Sequence, residues 1–389
     1  MEAGSAAPAS DRTAGERIYE FLGRLTDLPF AIRAGAGLVL MTVILALVES
    51  GLPGGIETVA LIAIVIAGIA ALTLTEGRPA LVAGVVVIVL FGILLTYHGL
   101  LAVSQTGITG LSNGAIYALG AVGLTLVYGI LKLVNFAHGD LLTFGAYMAL
   151  VASVFWGLPL VVGIVFAMAM TALVGIALEK VMWAPMRRRG AGVLQFVLMS
   201  IGLAFVIRYA IQYVYGTELR TLGVDNTSTI DFLGVRIGQT QGIVLLVGLL
   251  ILVGTGLMLR FSILGKRMRA LSDDLELAET SGIDTSRVIL WTWVLAGSFA
   301  GLAGVFAGAT TQLQPELGFE FLLPIFAAVV LGGIGDAFGA LAGGLLLGVV
   351  VEWSTLLVAS GYKSAIGFIV LIIVLIIRPQ GIFGRARSI

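Results

Sequence analysis

Four side chains that water solvates well crowd into one short stretch, "LKLVNFAHGDLL" at residues 131–142: Lys132, Asn135, His138 and Asp140. The stretch lies between two long apolar runs in a chain with two histidines among 389 residues. Several chemistries compete for it. A metal site needs three or four ligands, and here only His138 and Asp140 qualify. A Ser-His-Asp hydrolase needs a serine presented close to His138 by the fold, which sequence alone does not exclude. A plain polar turn at a membrane face is the bland reading. The remaining one is an unwound helix segment, with Gly139 permitting the break and Asn135 satisfying freed backbone groups.

Other polar residues sit inside apolar runs. Asn113 and Tyr117 are four apart, on one face of a helix over 105–130. Glu352 lies within the run 337–358, where an acid needs a partner in the bundle interior; a structural and a transport role both stay open. Arg208 falls near the end of its run, where its stem can snorkel, and is given no special role. In "LGGIGDAFGALAGGLLLG" the glycines Gly335, Gly339 and Gly343 fall four apart, a stripe against which another helix can pack. Gly297 and Gly301, then Gly304 and Gly308, repeat that spacing. Neither G-x-G-x-x-G nor G-x-x-x-x-G-K-[ST] is present, so no nucleotide cofactor is expected of these glycines, and no metal either.

One long polar segment, "RMRALSDDLELAETSGIDTSRV" at 267–288, interrupts the apolar pattern. Asp273 and Glu276 have capping-box spacing, and Gly282 is placed to end the helix. Leu271, Leu275 and Ala278 fall on one face. An ordinary solvated loop helix and a helix that docks in a partner's groove look alike at this level.

Elements of bilayer length must position these residues. Hydrophobic residues make up 59% of the chain and charged ones 11%. A soluble chain is about half apolar and about a quarter charged. The surface must therefore face lipid, and spanning helices of about 20 residues satisfy their own backbone. Net charge is zero, which gives no electrostatic case for nucleic acid, and cysteine is absent, which excludes disulfides and thiolate sites. Apolar runs fall at 30–48, 56–74, 79–97, 105–130, 141–156, 158–178, 191–215, 241–259, 286–308, 322–334, 337–358 and 362–377. The pattern predicts an all-α polytopic membrane protein of about 10–12 helices, with at least one broken or re-entrant. The run 141–156 is marginal, and 322–334 is too short to span as a straight helix.

Lys and Arg sort the loops. Lys180 and Arg187–Arg189, then Arg260, Lys266, Arg267, Arg269 and Arg287, then Arg378, Arg385 and Arg387 mark cytoplasmic sides. Loops at 49–57, 216–240 and 316–320 read as external, and both termini as cytoplasmic in a cell-membrane protein. Residues 1–29 lack a cleavage pattern and read as a polar tail. Residues 30–100 read as accessory helices and 101–389 as the functional core. The "NTS" at Asn226 matches a glycosylation acceptor but is too short a pattern to carry weight.

Three regions of this core resemble a known family. "GLSNGAIYALGAVGLTLVYGILKLVNFAHGDLLTFGAY", "RALSDDLELAETSGIDTSRV" and "VLGGIGDAFGALAGGLLLGVVE" are similar to hallmark regions of branched-chain amino acid ABC-transporter permeases, in the same order. Permeases for urea and short-chain amides look alike, and a stand-alone secondary transporter is the alternative from another class. The resemblance implies a transport subunit rather than an enzyme. It implies a second, related permease, two cytoplasmic ATPase subunits that bind the ATP, and an extracytoplasmic binding protein. The segment Arg269 to Gly282, with Asp273, Asp274 and Glu276, would then contact an ATPase. Asn113, Tyr117, Asn135, His138, Asp140 and Glu352 are candidates for the substrate pathway. The first 100 residues depart from the compact family pattern.

Overall fold

The computed structural model describes residues 79–232, 235–377 and 380–381. The runs expected at 30–48 and 56–74, and the basic tail at 378 and 382–389, lie outside the described residues. The chain divides into two compact units, 1–90 and 91–389, and the account below concerns the second. The described helices are α1 (Pro79–Leu131, of which 91–131 lie in the second unit), α2 (His138–Leu150), α3 (Leu160–Leu178), α4 (Ala184–Arg188), α5 (Val193–Tyr215), α6 (Gln239–Phe261), α7 (Ile263–Asp273), α8 (Leu275–Thr280), α9 (Thr285–Thr310), α10 (Leu317–Gly332), α11 (Ala337–Ser354) and α12 (Lys363–Ile377). The protein is an all-α, multi-pass membrane protein. Among the described residues seven helical stretches are long and apolar enough to cross a bilayer, and α10 and α12 are shorter apolar helices.

Regular α-geometry is interrupted where the sequence or the packing demands it. Gly99 breaks α1 with φ 78° and ψ 159°. Single π-turns extend α2 (Val151–Phe155) and α3 (Glu179–Trp183), a device that lets a helix accommodate an extra residue. The 216–240 loop carries a small hairpin: β1 (Thr229–Phe232) pairs antiparallel with β2 (Val235–Gly238), Ile230 opposite Ile237. Its β-branched residues favour the extended form. At the root of this loop the Ser228 and Thr227 hydroxyls donate to Asp225 and hold its carboxyl down at about 2.

Helix α1 is the axis of the bundle. Between Gly114 and Ile130 every residue but Tyr117 and Tyr128 is buried, whereas most residues of α5 and α6 are partly or fully exposed. Small residues let neighbours approach its backbone. A methyl added to Gly110 would lie 2.8 Å from Val349 Cα, and one on Gly114 would lie 2.9 Å from Leu345 Cα, so α11 lies directly on α1. Helix α9 meets α3 in the same way, with Gly297 against Ala172. The expected stripe on α11 is shorter than its spacing suggested. Asp336 caps the helix by accepting from Phe338 N at 2.9 Å, so Gly335 falls outside it, in the preceding turn with φ 92°. Gly339 and Gly343 face α10 at Gly332 and Ala328.

These contacts give a direct stability test. Gly114→Ala should lower stability by about 1–3 kcal/mol through overpacking. Gly202→Ala, with nothing within 4 Å of the new methyl, should be neutral or stabilising. Thermal unfolding of the purified protein in detergent reads both; equal midpoints would mean that α1 and α11 do not meet at Gly114.

Candidate functional site

The break at the opening motif lies upstream of where the glycine suggested. Helix α1 ends at Leu131, residues 132–137 are non-helical, and Gly139 is already in the first turn of α2. The missing side chain of Gly139 serves a close approach instead. A methyl there would lie 2.9 Å from Gly318 carbonyl carbon on α10. Gly318 N in turn donates to Thr143 Oγ1 at 2.8 Å. The N-terminal turns of two short helices, α2 and α10, therefore meet.

The break is held by side chains that satisfy its backbone, as lipid cannot. Asn135 Oδ1 accepts from Ala137 N at 3.1 Å. Phe136 N donates to Ser200 Oγ of α5 at 3.2 Å. Asn135 Nδ2, fully buried, has no acceptor among the described residues. His138 returns the chain to the level of Gly120, whose carbonyl accepts from Nε2 at 3.0 Å. Helix α1 covers roughly 16 Å from Gly120 to Leu131. The chain thus re-enters the bundle as a short non-helical strap that ends in a turn, His138 N donating to Asn135 O at 3.3 Å, before α2 begins.

Asp140 is wholly buried, and both its oxygens are taken by Arg208, from Nε at 2.9 Å and Nη2 at 3.2 Å. Phe319 of α10 covers the guanidinium at 4.5 Å from its ring centroid, and Phe205 lies at 5.7 Å. Arg208 therefore does not snorkel free; it is the counter-charge of Asp140, and its expected lack of a role is corrected. His138 and Asp140 have different partners, so no carboxylate orients the imidazole. "GLSNG" at 110–114 does have the spacing of a nucleophile motif. Ser112, however, is inside α1 and donates to Gln241 O at 3.1 Å rather than towards His138.

A second cluster lies further along α1. Glu352 is buried and receives Asn113 Nδ2 at 2.7 Å and Lys363 Nζ at 2.8 and 2.9 Å. Tyr117 packs on Phe321 of α10, ring centroids 5.8 Å apart. The structure thus groups Asn113 with Glu352, and separately places Asn135, His138 and Asp140 around the break. The first two turns of α10 touch both groups, through Phe321, Gly318 and Phe319. Glu179 forms a third buried acid, bound by Arg187 and by Trp293 Nε1, the latter at 2.8 Å. Trp183 and Trp293 stack beside it.

The polar segment forms two helices, not one. Asp274, with φ −154° and ψ 112°, separates α7 from α8 and caps α8 by accepting from Leu277 N at 3.0 Å. The cap is therefore Asp274, one residue beyond Asp273 of the expected box. Met268, Leu271 and Ala278 are buried, while Asp273, Asp274, Leu275, Glu276 and Leu277 are exposed. Leu275 is thus not on the buried face with Leu271. Gly282 ends the segment with φ 83°. Arg269 is committed to the last carbonyls of α6, those of Leu259 and Arg260.

Residues 106–375 match the family model described as branched-chain amino acid transport system / permease component. The chain belongs to this permease family. The chain is 33% identical over 305 residues to the high-affinity branched-chain amino acid transport system permease protein BraD of Pseudomonas aeruginosa, covering 74% of this chain and 97% of BraD. It is 32% identical over 295 residues to the permease protein LivH of Salmonella typhimurium, covering 72% of this chain and 95% of LivH. The ribose import permease protein RbsC of Escherichia coli is 27% identical over 267 residues, covering 66% and 79%.

Two residues of this permease escaped the sequence reading, Arg208 and Lys363. Arg208 pairs with Asp140, 68 residues away, and Lys363 with Glu352 on the preceding helix, 11 residues away. A signal did exist: Arg208 is the one charged residue of the run 191–215, and a buried Asp140 requires a cation somewhere. Removing one member should leave the other buried and unpaired, at about 3–5 kcal/mol. Asp140→Asn and Arg208→Gln should each destabilise strongly, and the double variant by clearly less than their sum. A chemical-denaturation cycle on the purified permease measures the coupling; strict additivity would mean that the pair does not form.

Proposed function

We propose that this permease imports branched-chain or closely related small amino acids as one membrane subunit of an ATP-driven complex. What carries the reading is 33% identity to BraD across 97% of that protein's length, together with the three motif regions in order. Its partners would be a second, related permease, two cytoplasmic ATPases and an extracytoplasmic binding protein in the cell membrane. Loops rich in Lys and Arg, including α7 and α8, would face the ATPases, and the 216–240 hairpin would face outward. ATP binding and hydrolysis would belong to the partners.

An apolar amino acid asks little of such a pathway. Its side chain is at home in a bundle of Leu, Ala and Val, and only the ammonium and carboxylate need polar company. The groups around α10 offer that: Asn135, His138 and Asp140 with Arg208 at the break, and Asn113, Tyr117 and Glu352 with Lys363 further along α1. Asn135, His138, Asp140 and Glu352 are buried in this arrangement, and Asn113, Tyr117, Arg208 and Lys363 are partly buried, so passage requires that α2 and α10 move relative to α1 and α5. Cytoplasmic ATPases acting on α7 and α8 would supply that motion. Residues 1–29 would form a cytoplasmic tail and 30–100 accessory helices around the core 101–389.

Uptake of radiolabelled leucine, urea and acetamide by the reconstituted complex tests the substrate class. Leucine should be taken up with ATP present and the other two not; uptake of urea or acetamide instead would overturn the reading. Asp273→Arg with Asp274→Arg reverses two exposed charges and should abolish co-purification with the ATPases. Unchanged assembly and uptake would remove α7 and α8 from that interface. Deleting residues 1–100 should leave the preference among amino acids unaltered in whatever fraction inserts; a changed preference would place part of the selectivity there.

A further inference from the structure

The strap between α1 and α2 is anchored at both ends, and its two anchors belong to different parts of the molecule. At the upstream end Lys132 turns the chain with φ 52°, the one non-glycine residue with positive φ among the described residues. A Cβ crowds the backbone in that conformation, and glycine would adopt it more easily. Lysine at this position nevertheless makes contacts that glycine could not. Its Nζ donates to Gly129 O at 2.8 Å and to Ser272 O, on α7, at 3.3 Å. Ser272 Oγ donates to the same Gly129 carbonyl at 3.0 Å. Three hydrogen bonds, two of them from the Lys132 ammonium, thus join the last turns of α1 and α7, two meeting at the Gly129 carbonyl and one at the Ser272 carbonyl.

At the downstream end the strap is tied to other helices. Ser200 Oγ of α5 lies between Phe136 N, at 3.2 Å, and Val134 O, at 3.4 Å. Two residues later His138 engages Gly120, and Asp140 binds Arg208, again on α5. The strap is six residues long, and its downstream half is closed into a turn, His138 N donating to Asn135 O at 3.3 Å and Ala137 N to Asn135 Oδ1 at 3.1 Å, so little slack remains between its two anchors. A shift of α7 therefore has a short covalent route to Asp140. It enters at Lys132 and Ser272 and leaves at the ion pair on α5.

We infer that Lys132 and Ser272 are positioning residues that couple α7 to the Asp140–Arg208 pair through the strap 132–137. This rests on the proposed role of α7 and α8 as the ATPase contact. Neither residue touches substrate. They act by keeping the end of α1 and the start of the strap moving with α7. Without them the ATPases still dock and turn over, but their motion no longer reaches α2.

The test uses the whole complex in proteoliposomes, with ATP hydrolysis and leucine uptake measured in the same vesicles. Lys132→Gly keeps the left-handed backbone and removes the ammonium; Ser272→Ala removes the hydroxyl. The double variant should assemble and hydrolyse ATP at an essentially unchanged rate, while leucine moved per ATP falls by about tenfold, the scale of one lost charge-assisted bond. Lys132→Arg and Ser272→Thr should each restore most of the ratio, a split that a merely structural role would not produce. An unchanged ratio in an assembled double variant would overturn the proposal.

A covalent version guards against a variant that fails to fold. The chain has no cysteine. A methyl on Gly129 would lie 3.5 Å from Ser272 Oγ, so Gly129→Cys with Ser272→Cys can be bridged. With Lys132→Gly in the same chain, uptake per ATP should be high when the bridge is oxidised and low when reduced. Equal ratios in the two states would overturn the joint. Co-purification of the Asp273→Arg, Asp274→Arg variant tests the ATPase-contact reading separately, so the two can fail independently.

Discussion

A carboxylate in an apolar bundle must be compensated on the spot, and Asp140 is compensated by Arg208. Taking both ions out of water costs several kcal/mol each, and their attraction offsets this only with good geometry. The two-pronged contact at 2.9 and 3.2 Å supplies the geometry, and two phenyl rings shelter the guanidinium from above. Much follows from that single pairing. It fixes the first turn of α2 to α5, fixes where the strap must end, and brings Phe319 and hence the start of α10 to the same place. A hydrophobic substitute could be as stable. An ion pair, however, has one register where a greasy contact has many.

The strap and the glycine contacts answer one problem from opposite sides. Non-helical backbone inside a membrane protein is tolerated only where protein satisfies it, and Asn135, Ser200 and Gly120 do so here. Those partners can reach the backbone only if the helices around the break stand very close. Gly139 against Gly318 provides the closeness locally, and Gly114 against Leu345 provides it along α1. The irregular segment and the tight bundle depend on each other: loosen the bundle and the strap loses its partners.

The architecture was legible in the sequence because bilayer length and apolar periodicity are local properties. The runs over 191–215, 241–259, 286–308 and 337–358 correspond to helices α5, α6, α9 and α11, and the runs 79–97 and 105–130 fall on either side of the Gly99 break in α1. The family was legible because three motif regions recur in order. The site was legible only in part. A polar cluster at 132–140 announces itself by cost, yet the position of the break did not follow from Gly139, because that glycine answers to a contact with Gly318, 179 residues away. The roles of Arg208 and Lys363 were missed because a counter-charge is chosen by the fold: Arg208 stood out in its run, yet nothing local tied it to Asp140, 68 residues away. Capping was read one residue early, at Asp273 rather than Asp274, since either carboxylate fits the local pattern and only the backbone at the α7–α8 corner decides.

Helix α10 has 16 residues, about 24 Å, against a hydrocarbon layer of about 30 Å. Only Phe319 and Glu320 of it, in the first turn, are exposed, so protein rather than lipid covers most of its length. Helices α5 and α6, of 23 residues each and with few of them buried, are about 34 Å long and form the rim. Hydrophobic mismatch is therefore borne by the perimeter. A change in bilayer thickness would tilt α5 and α6 first, and α5 carries Arg208. The thickness of the surrounding membrane thus bears on the buried ion pair through the helix that lipids touch, while the short helix beside it is shielded from them.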